Sequence, residues 1–265
     1  MSDRLAIFLT NLRPAFVAHV AKKLFRIRRR MVRTLHGTFW VDPASYFGRS
    51  LIENGHYEED MVDVIRHYLP PGGVFVDVGA NEAYFSVVAS RLQPEATVVA
   101  IEPQARLGSV IHENLSINQV ADRVKVDHCA LSDKAGEGEI FLTPDVNSGS
   151  SGLTRITAYP LRRQKVALKT LGDVLDSHGL DVIDVMKMDI EGHEWDAVFG
   201  AEELFQSRRV HCFALEIHPA VLAKRGLDGD KLIDFLMACG YRLLPGRQTV
   251  FLSEDLFPTR DHGVQ

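Results

Sequence analysis

Val74-Phe75-Val76-Asp77-Val78-Gly79-Ala80-Asn81 is an apolar run that ends in an acid, a glycine and a small polar residue. Alternating valines favour a pleated strand. Pro70-Pro71-Gly72-Gly73, just upstream, closes a predicted helix over Glu58 to Tyr68 and starts a new unit. In open α/β sheets, ligands sit outside the carboxyl ends of the strands, where a glycine lets the backbone come close to them. Asp77, Gly79 and Asn81 are therefore candidate ligand-binding residues. The turn is not GxGxxG, because Asn81 and Ala83 stand where further glycines would be sought, which weighs against a dinucleotide pyrophosphate cradle. A buried strand with a turn glycine also occurs in folds that bind nothing there.

The next apolar run, Val98-Val99-Ala100-Ile101, ends in Glu102-Pro103, about twenty-five residues after Asp77. A carboxylate at a second strand end can accept from both hydroxyls of a ribose, so Glu102 is the candidate nucleoside ligand. The competing structural role is a helix-start acid favoured by the dipole, with Pro103 opening the helix. A third strand is expected over Val124 to Cys129. It leads into Ala130-Leu131-Ser132-Asp133, where Ser132 and Asp133 are candidates to face an adenine or else form a simple polar turn.

Further runs at Ile183 to Met188 and His211 to Ile217 alternate with helical patterns, which predicts βαβ units and a mostly parallel sheet. Tyr241 to Leu244 and Thr249 to Leu252, joined through Pro245-Gly246, read as an antiparallel edge hairpin. Glu139 to Leu142 and Lys165 to Leu168 flank Asn147-Ser148-Gly149-Ser150-Ser151-Gly152, which reads as a mobile loop able to close over substrate. The fold class is α/β, with helices on both faces of the sheet.

A chain of 265 residues with 46% hydrophobic content can bury one large core. The net charge of -5 supplies no overall positive field, so nucleic acid is excluded as a first partner. Cys129, Cys212 and Cys239 make neither a CxxC pair nor an even set, which favours a reducing cytoplasm over a disulfide framework or zinc site. No apolar run approaches a bilayer span, and the protein is expected to be soluble. Arg4 to Val41 nevertheless holds nine Lys or Arg and no acid. Leu5, Phe8, Leu9, Leu12, Phe16, Val20, Leu24, Ile27 and Met31 recur at helical spacing there, so residues 1–52 read as a basic amphipathic helical extension and 53–265 as the main domain. One role for this helix is peripheral contact with an anionic membrane through Lys22, Lys23, Arg26, Arg28, Arg29, Arg30 and Arg33. Docking on its own domain is the favoured role, because amphipathic helices ordinarily pack on a core.

Taken in order, these motifs resemble the FkbM family of S-adenosylmethionine-dependent methyltransferases. The resemblance runs from Glu53 to Pro219 through Gly55-His56-Tyr57-Glu58, Val76 to Asn81, Ile101-Glu102-Pro103, Asn114 and Asn118, Ala130-Leu131-Ser132-Asp133, and Lys187-Met188-Asp189-Ile190-Glu191-Gly192. It implies a class I methyltransferase fold with a central seven-stranded sheet, and methyl transfer to a hydroxyl of a sugar, glycan or natural product. Ala83 departs from the family, which usually carries glycine there, and restricts the turn.

Two more strand ends carry reactive groups. Asp189 and Glu191 follow Val185 to Met188, and Glu216 and His218 follow the last long strand. Asp189, Glu216 and His218 are the candidate catalytic residues, with Asp189 taking the acceptor proton, Glu216 or His218 positioning the acceptor, and Lys187 pairing with a carboxylate. Glu191 is divided between that work and a helix-start role. The same residue types suit a divalent metal, but their spacing is looser than in a true metal motif, and the metal-free reading is favoured. Two alternatives to methyl transfer remain: an NAD-dependent oxidoreductase, disfavoured by the missing glycines, and a non-catalytic membrane-associated subunit.

Overall fold

The computed structural model describes residues 15–155, 161–244 and 249–256. An N-terminal part comprises α1 (Ala15–Leu24), the strands β1 (Arg30–Arg33) and β2 (Thr38–Val41), α2 (Tyr46–Asn54) and α3 (Glu59–Tyr68). Then follow β3 (Val74–Val78), α4 (Tyr84–Leu92), β4 (Thr97–Ile101), α5 (Gly108–Ile117) and β5 (Val124–Asp127). An excursion of β6 (Cys129–Leu131), β7 (Gly136–Leu142) and β8 (Arg162–Lys169) leads to α6 (Leu171–His178), β9 (Ile183–Met188), α7 (Glu194–Phe199), α8 (Glu202–Gln206) and β10 (Val210–Leu215). The chain closes with α9 (Pro219–Lys224), α10 (Gly229–Ala238), β11 (Tyr241–Leu244) and β12 (Thr249–Ser253).

Seven strands form the main sheet in the order β11-β12-β10-β9-β3-β4-β5. Six run in the same direction, and only β12 is reversed, antiparallel to both β10 and β11. The order reverses between β3 and β9, so this is the class I methyltransferase topology, with its switch point at the tips of β3 and β9. Residues 245–248, which join β11 to β12, lie outside the described residues. Alternate side chains of the strands feed two cores. Phe75, Val98, Val185 and Cys212 pack under α3, α4 and α5, while Val76, Val99, Met186 and Phe213 pack under α6, α8 and α10. Fully burying each large side chain contributes about 1.5–3 kcal/mol.

The third strand is shorter than its sequence pattern. β5 pairs with β4 only to Asp127, and Cys129–Leu131 turns away to pair with β8 in a separate three-stranded sheet. Asp127 marks the break, its carboxyl held by His178 at 2.5 Å and Lys169 at 3.2 Å.

The basic N-terminal segment is not one helix. Arg26, at φ 50, ends the helical path, and Arg30–Arg33 becomes a strand paired with Thr38–Val41. Val20, Leu24 and Met31 are exposed whereas Ile27 is buried, so the apolar spacing does not trace a single packed face. Leu5, Phe8, Leu9 and Leu12 lie outside the described residues. Helix α1 packs against a 3-10 turn at Asp145–Ser150, and Lys22 pairs with buried Asp42. Phe39, Val41, Phe47 and Leu51 share the core of β3 and α4.

Asn114 on α5 and Asn118 just past its end secure this layer by acting as a surrogate strand edge. Asn118 accepts from Thr38 N at 3.0 Å and donates to Thr38 O at 2.7 Å, and Asn114 accepts from Trp40 N at 2.7 Å. Asn114 also donates to Glu82 O at 2.8 Å, linking β2 to the turn after β3. Among the described residues no helix is long and apolar enough to cross a membrane.

Candidate active site

Beyond the carboxyl ends of β3, β4 and β9 lies a cavity of about 360 Å³. Parallel pairing of Val78 with Ile101 sets the first two tips side by side. Gly79 N and Ala80 N both donate to Ile101 O at 3.0 Å. Glu102 then bridges them: its Oε2 accepts from Asn81 N at 2.8 Å and its Oε1 from Gln104 N at 2.9 Å. Each oxygen keeps acceptor capacity, and the side chain lines the cavity. Burial pushes the Glu102 carboxyl up, against the hydrogen bonds from Gln104 and Asn81.

The backbone here is shaped for close approach. Gly79 stands at φ 78, and an ideal Cβ on it would lie 2.0 Å from Asp189 O. Asn81 at φ 50 and Ala83 at φ 62 also occupy the left-handed region. Ala83 thus takes the conformation that glycine adopts freely, at a cost of about 1–2 kcal/mol. Glu82, between them, is buried and forms a two-pronged pair with Arg29, at 2.7 and 2.8 Å.

Asp77 does not line the cavity, contrary to its expected role. Its Oδ2 accepts from Ser86 N at 3.0 Å and Ser86 Oγ at 2.6 Å, which fixes the first turns of α4. Burial pushes this carboxyl up, against the opposing charge of Lys187. Ser132 and Asp133 also fall outside the cavity, because the chain has already left the main sheet. Ser132 N donates to Lys169 O at 2.9 Å, and Asp133 packs against Gly200. Cys129, Ala130 and Leu131 form that wall instead, with Ile101 and Ile140.

The polar stretch expected to be a mobile loop is a 3-10 turn over Asp145–Ser150 that roofs the cavity. Ser148 Oγ donates to Asn81 Oδ1 at 3.2 Å, and Gln104 Nε2 donates to Ser148 O at 3.2 Å. Arg106 ties down the same roof through Thr143 O at 2.7 Å and Ser151 Oγ at 3.1 Å.

Across the cavity the structure brings Asp189, Glu216 and His218 together, with Glu191 beside them. His218 Nε2 lies 3.6 Å from Glu191 Oε2, 3.7 Å from Asp189 Oδ1 and 3.9 Å from Glu216 Oε1. Its Nδ1 is 2.8 Å from Glu194 Oε1, which also accepts from Gly192 N at 3.0 Å. Burial alone would lower the His218 pKa, but Glu194, Glu191 and Asp189 outweigh it and raise it to about 9. Burial pushes Glu191 up to about 7, against the His218 charge. Lys187 donates to Gly79 O at 3.2 Å and stands 3.6 Å from Asp189 Oδ2. Burial would lower the lysine, yet Asp189, Asp77 and Glu58 raise it overall, so it stays charged.

Glu58, which has no role assigned from the sequence, lines this cavity together with Tyr57. It also lines a second cleft of about 720 Å³, shared with Lys187 and Glu216 and walled by Ile217, Leu227 and Ile233. Burial pushes Glu58 up, while Tyr57 and Lys187 pull it down. Its motif was visible, but nothing local showed that α3 starts against the tip of β9.

The family model described as the methyltransferase FkbM domain matches residues 77–243, more than half of the chain. Methyltransferase sdnD of Sordaria araneosa is 29% identical over 193 residues, covering 62% of this chain and 74% of its own length. The 31-O-demethyl-FK506 methyltransferase FkbM of Streptomyces tacrolimicus is 28% identical over 233 residues, covering 76% and 86%. The 2-O-methyltransferase NoeI of Sinorhizobium fredii is 27% identical over 154 residues, covering 52% and 61%. The topology, the cavity at the switch point and this match agree: the chain belongs to the FkbM methyltransferase family.

Proposed function

We propose that this methyltransferase uses S-adenosylmethionine to methylate a hydroxyl on a sugar, glycan or natural-product acceptor. The observation that carries the reading is Glu102, whose carboxylate joins the tips of β3 and β4 at the floor of the cavity and keeps acceptor capacity for a ribose diol. Ile101, Ala130, Leu131 and Ile140 offer an apolar slot for a base, and Gly79 and Ala80 line the cavity between that slot and the acids. The residues present fit an adenosyl group. When bound, S-adenosylmethionine supplies an electrophilic methyl carbon on a positively charged sulfur.

The chain's own part is the opposite wall. Asp189, Glu191 and Glu216, with His218 behind them, receive the acceptor hydroxyl and orient its oxygen, and Asp189 takes up its proton. Lys187 holds Asp189 from one side through Oδ2, which leaves Oδ1 facing His218. Glu194 fixes the imidazole from behind. The second cleft meets this wall at Glu58 and Glu216 and gives an acceptor with an apolar body a route to it. The O-linked names of two relatives point the same way, as do the acids here, which suit hydroxyl activation.

The test is transfer of label from methyl-labelled S-adenosylmethionine to a panel of hydroxylated acceptors. Label on oxygen is expected, with Asp189→Asn slowing turnover by about 10²–10⁴-fold while S-adenosylhomocysteine still binds. Label on nitrogen only, or an unimpaired variant, contradicts the reading.

A further inference from the structure

The cluster around His218 gathers carboxylate and imidazole groups of the kinds that a divalent cation takes as ligands. Ligand atoms of Asp189, Glu216 and His218 all lie within 4.8 Å of one another. Six donors at about 2.1 Å from an ion are separated by about 3.0 Å when adjacent and about 4.2 Å when opposite. The observed separations of His218 Nε2 from Glu191, Asp189 and Glu216, 3.6 to 3.9 Å, fall between those limits. Small side-chain rotations would therefore bring the donors onto one ion.

The surroundings of the cluster support this. The far nitrogen of His218 is held by Glu194, a carboxyl fully buried beneath the cluster. A carboxyl behind a histidine fixes the ring and turns its other nitrogen toward a metal. Lys187, the nearest cation, addresses the other oxygen of Asp189 and the carbonyl of Gly79, not the face that His218 shares. Glu216 is 58% exposed and opens the cluster to solvent, which gives an ion a way in.

We propose that Asp189, Glu216 and His218, with Glu191 beside them, bind one divalent cation of the manganese class, which accepts carboxylate and imidazole ligands together. The position lies between the cofactor cavity and the second cleft, at the wall where the acceptor oxygen arrives. An ion there orients that oxygen and lowers its pKa. This role rests on the methyl-transfer reading; the binding itself does not.

The experiment titrates Mn²⁺ into the full chain after exhaustive chelation, without cofactor or acceptor, and follows loss of the free-ion spin-resonance signal. S-adenosylhomocysteine binding is measured on the same samples. One bound Mn²⁺ per chain is expected, lost in His218→Ala and Glu216→Gln, with S-adenosylhomocysteine still bound by both variants. Absence of bound Mn²⁺ at millimolar concentration, or undiminished binding in both variants, overturns the inference. If His218→Ala fails to fold, Glu216→Gln decides alone, because its side chain faces solvent. Failure of the parent to bind S-adenosylhomocysteine counts against the proposed reaction and leaves the ion site standing.

Discussion

The carbonyl oxygen of Asp189 fills the space in which a side chain at Gly79 would begin, 2.0 Å from an ideal Cβ. The tips of β3 and β9 thus touch through backbone, and Asp189 N donates to Val78 O at 3.1 Å in the same junction. A methyl group at Gly79 would have to separate the cofactor wall from the acid wall, at a residue whose φ of 78 already disfavours any side chain. Gly79→Ala should lower stability by about 2–4 kcal/mol in chemical denaturation and abolish S-adenosylhomocysteine binding. Parent-like stability would show that the junction yields.

Arg29 and Glu82 couple the N-terminal layer to the cofactor turn. Glu82 lies between Asn81 and Ala83 with its side chain 1% exposed, and Arg29 is its charged partner. Removing one member of a buried pair leaves the other charge uncompensated, at a cost of about 3 kcal/mol or more. Arg29→Met should therefore cost more than Arg29→Met combined with Glu82→Met, as read from denaturation midpoints. Equal costs would mean that the pair contributes little.

Asp127 predicts an acid-sensitive contribution. Burial alone would raise its pKa, but hydrogen bonds from His178 and Lys169 prevail and hold it below the ordinary carboxylate value. The folded state then binds this proton more weakly than the unfolded state. The stabilisation is complete above about pH 4, the unfolded carboxyl value, and is lost as pH falls through the folded value. Asp127→Asn should lower stability at pH 7 and show a flatter pH dependence below pH 4 than the parent. Parallel curves for the two proteins would contradict this.

What the sequence made legible was mainly what short range decides. The runs Val74 to Val78, Ile183 to Met188 and Tyr241 to Leu244 form strands at the predicted residues, because apolar strands flanked by turn residues declare their own ends. Gly79, Glu102, Asp189, Glu216 and His218 stand at strand ends as expected, and Lys187 pairs with Asp189. Contacts between distant segments were not legible. The exit of the chain at His128 depends on Asp127 finding His178, some fifty residues away, and it removes Ser132 and Asp133 from the cavity. Asp77 turns inward because Ser86 supplies two donors one helical turn into α4. The N-terminal pattern misled because Val20 and Leu24 face solvent from α1 while Met31, at the same helical spacing, faces solvent from β1.

The central claim is that the tips of β3 and β4, bridged by Glu102, form one adenosyl pocket. Titration calorimetry with S-adenosylhomocysteine tests it most directly, comparing the parent with Glu102→Ala. Loss of hydrogen bonds to a charged group costs about 1.5–3 kcal/mol, so single-site binding by the parent and a rise in Kd of roughly ten- to a hundred-fold in the variant are predicted. No binding by the folded parent, or equal affinity in the two proteins, would contradict the account.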